Sequence, residues 1–116
     1  MNQRELGQWG EEIAASYLVK KGLKIVERNV QTRYGEIDIV ALDRQTLVFV
    51  EVKTRRQARY GLPVESVTRK KQQKLRELAL HYLQMNKGAS SFRFDVCSIV
   101  LAANQKYEIV HIPHAF

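Results

Sequence analysis

Cysteine is almost missing from these 116 residues; Cys97 is the only one. A lone cysteine cannot close an intrachain disulfide, which suits a reducing compartment. It lies in the strand-like run from Phe94 to Leu101 and reads as a small buried thiol. No apolar run approaches the ~20 residues that span a bilayer. Met1 to Glu5 also lacks the apolar core of a signal peptide. A cytoplasmic protein with no membrane partner is therefore the expectation. Internal repeats, low-complexity tracts and linkers are lacking too, so residues 1–116 read as one domain. Acidic residues are in short supply: twelve Asp and Glu face nineteen Lys and Arg, a net charge of +7 with His neutral. That imbalance suits a polyanionic partner, because neutralising phosphates releases counterions and supplies affinity independent of base sequence. The apolar fraction, 45%, is that of a globular chain and argues against wholesale disorder.

Hydrophobic periodicity divides the chain into seven elements. Leu6, Gly10, Ile13, Ala14, Tyr17 and Leu18 recur at helical spacing and predict a helix from about Gln3 to Lys21. Asn2 is its N-cap, with Glu5 three residues on, and Gly22 ends it. Three strands are expected over Leu23 to Val30, Glu36 to Leu42 and Leu47 to Thr54. A loop containing Gly61 and Pro63 leads to a second helix, about Ser66 to Gln84. Strands over Phe92 to Leu101 and Lys106 to Ile112 close the chain. The order α-βββ-α-ββ predicts an α/β fold with a mixed central sheet. Leu47 to Val50 and Val52 make both faces of the third strand apolar, as in a central strand covered on two sides.

Three charges interrupt this core pattern: Asp38 between two isoleucines, and Glu51 and Lys53 among valines. A buried charge costs several kcal/mol unless it is paired or binds a metal. If Arg44-Gln45 is a two-residue hairpin turn, Asp43 faces Thr46, Asp38 faces Glu51 and Glu36 faces Lys53. Alternation then puts Asp38, Glu51 and Lys53 on one face. Facing carboxylates would have Cβ atoms about 4.5–5.5 Å apart, an unfavourable pair unless a cation lies between them. Hard oxygen ligands at that spacing suit Mg²⁺ or Mn²⁺. A neighbouring lysine can orient a water or stabilise charge on a phosphate. The plainer alternative is a charge cluster at the sheet edge, each acid satisfied by a Lys or Arg. The first helix weighs against it. Glu11 falls about 20° from Leu18 around the helix, at the border of the apolar stripe, whereas Glu12 turns toward solvent. Glu11 is thus a third candidate carboxylate.

The segments GQWGEEIAASYLVKKG, YGEIDIVALD, LVFVEVKTR and RFDV resemble the UPF0102 (YraN) family of small bacterial proteins over nearly the whole chain. That family is similar to the archaeal Holliday-junction resolvases of the restriction-endonuclease-like, PD-(D/E)XK superfamily. The resemblance implies a three-layer core and Mg²⁺-dependent hydrolysis of DNA phosphodiester bonds, including those of branched intermediates. It assigns the catalytic and metal-binding roles to Glu11, Asp38 and Glu51, and the lysine of E-x-K to Lys53. Ile37 stands where the superfamily label has proline, a residue that shapes backbone and performs no chemistry. A homodimer is compatible with the resemblance.

Basic residues cluster after this motif, at Arg55, Arg56 and Arg59, and on the second helix at Lys70, Lys71 and Lys74. They are expected to track phosphates, reading backbone or structure rather than bases. A solvated helix face is the alternative. Trp9, Tyr34 and Tyr60 could stack on unpaired bases or serve packing. Asp95 could support the acidic cluster or pair with basic neighbours. His111 and His114 have no further Cys or His near them in sequence to make a transition-metal set. Two other classes fit the composition: a non-catalytic nucleic-acid-binding module that keeps the nuclease fold, and a scaffold for a protein partner.

Overall fold

A computed structural model describes residues 1–56, 67–86 and 88–116. Helix α1 spans Gln3–Lys20. It opens on a reciprocal cap: Glu5 N–H donates to Asn2 Oδ1 at 2.8 Å, and Asn2 N–H donates to Glu5 Oε1 at 3.0 Å. Strands β1 (Lys24–Thr32), β2 (Gly35–Asp43) and β3 (Thr46–Arg56) follow. Helix α2 (Arg69–Met85) leads to β4 (Ser91–Leu101) and β5 (Tyr107–Ile112). The α-βββ-α-ββ order is that expected from the sequence. The second helix starts later than its apolar pattern suggested: Thr68 caps it, accepting Lys71 N–H. Val67 is buried just ahead of the helix. No helix among the described residues is long and apolar enough to cross a membrane.

The sheet runs β1-β2-β3-β4-β5, and only the β3–β4 pair is parallel. A parallel neighbour requires a crossover, and α2 lies in the segment that makes it. Alternation along β3 divides the core in two. Leu47 and Phe49 pack with Leu75, Leu78, Ala79 and Tyr82 of α2. Val48 and Val50 pack with Ala14, Ala15 and Leu18 of α1. The helices therefore cover opposite faces, giving three layers with β3 buried between them.

Two close approaches fix the helices. A Cβ on Gly10 would stand 1.8 Å from Thr54 Oγ1, so glycine lets α1 lie directly on β3. Gly35, at φ +148°, would bring a Cβ within 3.3 Å of both Leu78 and Lys74 on α2.

The regular pairing shifts between Ile25 and Glu27 of β1 and fails again beside Asp38. Residues two apart on a strand ordinarily share a face. Ile37 nonetheless packs on the α2 side and Ile39 on the α1 side. Between them stands Asp38. On β1 the pairs Arg28–Ile39 and Val30–Ile37 bracket Asn29, whose φ is +52°. On β3 the pairing to β2 runs from Asp43–Thr46 to Ile39–Val50 and stops.

Candidate metal centre

Asp38 therefore sits where β2 and β3 part. The hairpin register expected from the sequence holds from the turn to Ile39–Val50, but Asp38 and Glu51 do not continue it as a backbone pair. Nor do Glu36 and Lys53. The physical reason is a substitution of side chain for backbone: Val52 N–H donates to Asp38 Oδ2 at 2.8 Å. That bond satisfies a donor the ladder has abandoned and turns the carboxylate into the gap.

Acids reach this gap from three elements. Glu51, on β3, is buried, and its carboxyl stands close enough to Asp38 to raise its pKa. Glu11 of α1 and Glu36 of β2 join Asp38 in a group in which one carboxylate oxygen of each lies within 4.8 Å of the others. Glu11 arrives there because Gly10 seats the helix on Thr54. Burial, then the nearness and charge of Glu51, push the Asp38 carboxyl up to about 8. The Val52 N–H and the Lys71 ammonium oppose that rise without cancelling it. Glu11 is also raised, first by burial and then by the charges of Asp38 and Glu36. Arg28 and the Asn29 side chain act the other way.

Lysine enters from α2. Lys71 Nζ lies 3.3 Å from Glu51 Oε2, an ion pair without hydrogen-bond geometry, so this buried oxygen has no hydrogen-bond partner. Lys71, assigned from the sequence to the phosphate-tracking rim, thus faces the acids directly. Lys53 is half-buried on β3, two residues beyond Glu51 and paired with Ser98 of β4. All the donors are carboxylates, and several like charges crowd one partly buried place. Such a set fits a hard divalent cation of the Mg²⁺ or Mn²⁺ type.

A family model described as "Uncharacterised protein family UPF0102" matches residues 10–99. The chain belongs to this family. A UPF0102 protein of Syntrophomonas wolfei is 52% identical over 114 residues, covering 97% of this chain and 98% of its own length. One from Thermodesulfovibrio yellowstonii is 47% identical, covering 100% and 99%. A third, from Rhodococcus opacus, is 45% identical, covering 96% and 95%. In this UPF0102 chain the structure groups Glu11 with Asp38 and Glu36, and leaves Glu51 outside that group, beside Asp38 and paired with Lys71. It adds two residues that reading placed elsewhere, Glu36 and Lys71. The signal for Glu36 was Asn29. Asparagine is poor in strands and tolerates positive φ, so its presence in β1 marks the break that reorients the neighbouring strand.

The remaining candidates divide. Lys70 and Lys74 are exposed on α2. The Arg56 guanidinium donates to the Met1 carbonyl, and Arg55 belongs to β3. Arg59 and Tyr60 lie outside the described residues. Trp9 meets Tyr107 edge-on at 5.4 Å, and Tyr34 lies beneath the Arg33 guanidinium at 5.0 Å. Glu12 turns outward to Arg28 at 2.8 Å.

Asp95 is part of a different construction. Fully buried, it binds Arg93 at 3.0 Å and His111 at 2.7 Å and accepts His114 N–H at 3.2 Å. Arg93 also reaches Asp43, at the hairpin end of β2. Burial alone would raise the Asp95 carboxyl, but His111 and Arg93 outweigh it and hold it low. These bonds fasten the C-terminal segment to β4, where Phe116 stacks on Phe94 at 5.0 Å. Burial pushes the adjacent Cys97 thiol up to about 12, so it stays protonated and serves packing.

Proposed function

We propose that this UPF0102 protein is a divalent-cation-dependent endonuclease that hydrolyses DNA phosphodiester bonds, with branched or repair intermediates as its substrates. The observation that carries the reading is Asp38 in the parting of β2 and β3, beside Glu51 and grouped with Glu11. No packing need accounts for so many carboxylates gathered at the end of a buried hairpin. Asp38, Glu51 and Glu11 are the proposed ligands of Mg²⁺ or Mn²⁺. When bound, such a cation supplies Lewis acidity toward a phosphate oxygen and acidifies water.

The chain's own groups would do the rest. Val52 N–H fixes the Asp38 carboxylate in the gap. Lys53 would hold the attacking water and stabilise the negative charge that grows on the phosphate. Lys70, Lys74, Arg55, Arg56 and Arg59 would contact flanking phosphates, consistent with the net charge of +7.

A cleavage panel of single-stranded, duplex, flap and four-way-junction DNA, with Mg²⁺ or Mn²⁺, tests this. Cleavage abolished by a chelator is the expected result. Salt-sensitive binding without cleavage would favour a non-catalytic nucleic-acid-binding module instead. Absence of both would favour a scaffold for a protein partner.

A further inference from the structure

Two glycines stand three residues apart inside α1, and only one has a packing reason among the described residues. Gly10 lets the helix meet Thr54, whereas a Cβ on Gly7 would meet nothing within 4 Å. Glycine inside a helix is unfavourable relative to alanine, so Gly7 calls for a cause other than packing. It lines a cleft of about 910 Å³ between α1 and β1, an edge strand of the sheet. That volume falls within the range of pockets that hold small organic groups, about 300–1,000 Å³. Asn29, at φ +52°, and Glu36 carry the wall of the cleft toward Asp38.

The chemistry of this wall selects what fits. Gln3, Gln8, Asn29 and Gln31 are primary amides, each offering two donors and an acceptor. Four glutamates line the cleft against two arginines and Met1, and Arg28 is already paired with Glu12 at 2.8 Å. The field there disfavours an anion and suits a neutral group with donors and acceptors along its edge. Phosphates are drawn instead to the opposite face of the sheet, where α2 carries Lys70, Lys71 and Lys74. We propose that the cleft takes an unpaired nucleobase of the branched DNA, its ring lying over Gly7 and its edge read by the amides and carboxylates. The strand's phosphates stay on the lysine side. Amides match the edge of adenine and carboxylates accept from the amino group of cytosine, so these bases fit better than thymine. Enzymes that take a base out of the stack read its edge by such hydrogen bonds. The inference rests on the proposed DNA substrate and names the part of it that enters the protein.

The test is binding of flap DNA, read by fluorescence anisotropy with no divalent ion added so that no strand is cut. A series of flaps carries one abasic residue at each unpaired position near the branch. Wild type is compared with Gly7→Leu and with the double variant Gln8→Ala/Gln31→Ala, each first checked for a native melting transition. Gly7→Leu should melt no lower than wild type, because leucine is the better helix former. In wild type one abasic position should weaken binding about tenfold or more. In Gly7→Leu the intact flap should bind as weakly as that abasic flap, the two Kd values agreeing within about twofold. Should Gly7→Leu not melt cooperatively, the same loss of discrimination in the amide variant decides. A wild type that binds every abasic flap like the intact one overturns the inference and leaves DNA as the substrate. So does a natively melting Gly7→Leu that discriminates as wild type does. If wild type binds no flap DNA even at low salt, the proposed function fails, and the inference with it.

Discussion

Held between Glu51 and the Glu11–Glu36 pair, Asp38 keeps its proton up to about pH 8, whereas an unfolded aspartate releases it near 4. Between those values the folded state carries more protons than the unfolded one. Stability without metal should therefore fall as pH rises through that window and level off above it. Asp38→Asn keeps an acceptor for Val52 N–H and removes the titration. The variant should melt higher than wild type at pH 8, by a few kcal/mol at most, and its transition should be nearly flat from pH 5 to 8. Chemical denaturation across that pH range measures it, and a wild-type profile as flat as the variant's would contradict the burial argument. The oddity of Asp38, Glu51 and Lys53 was legible in the sequence because charged residues interrupt an apolar run. The place of Glu36 was signalled only indirectly, by Asn29 in β1, because it also depends on the side-chain bond of Asp38 that ends the ladder.

At the scale of elements, the site depends on how closely α1 lies on the sheet. A methyl group on Gly10 would strike Thr54 Oγ1 at 1.8 Å and Thr54 Cβ and Cγ2 at 2.8 Å, all on a stiff β-branched side chain. Gly10→Ala should lift the helix, destabilise the chain by about 1–3 kcal/mol and weaken Mn²⁺ binding by displacing Glu11. Gly7, on the same helix, has nothing within 4 Å of its would-be Cβ. Gly7→Ala should instead stabilise by about 0.5–1 kcal/mol through helix propensity. Equal effects from the two substitutions, measured by urea denaturation, would show that helix propensity and not the approach to Thr54 governs this position. The elements themselves were readable from apolar spacing and from the reciprocal cap of Asn2 and Glu5. Where each carboxylate points was less so. The kink at Asn29 and Asp38 interrupts the period-two alternation on which face assignments rest.

For the whole molecule, the net charge of +7 becomes useful only if it is directed toward the acidic gap. Lys71 emerges from α2 beside Glu51, and Lys70 and Lys74 are exposed on the same helix. If those two lysines contact phosphates, the double variant Lys70→Ala/Lys74→Ala should bind junction DNA more weakly. The slope of log K against log salt should also shrink by about 2, one for each lost contact. Fluorescence anisotropy at several salt concentrations reads both, and an unchanged slope would mark this face as merely solvated. The three-layer order was legible from the sequence because each helix carries one apolar stripe and β3 carries two apolar faces. The ion pair of Lys71 was not, since nothing in its spacing distinguishes it from the exposed lysines beside it.

On the proposed function, the parting of β2 and β3 is a site of phosphodiester hydrolysis. The most direct test is the single-turnover cleavage rate of junction and flap DNA with Mn²⁺, for wild type, Asp38→Asn, Lys53→Ala and Glu12→Gln. Cation-dependent cleavage by wild type is expected, with a fall of about 10²-fold or more in Asp38→Asn and Lys53→Ala. Glu12→Gln, whose side chain turns away toward Arg28, should cleave like wild type. Cleavage that survives in both Asp38→Asn and Lys53→Ala, or a wild type that cuts no DNA with any divalent cation, would contradict the account.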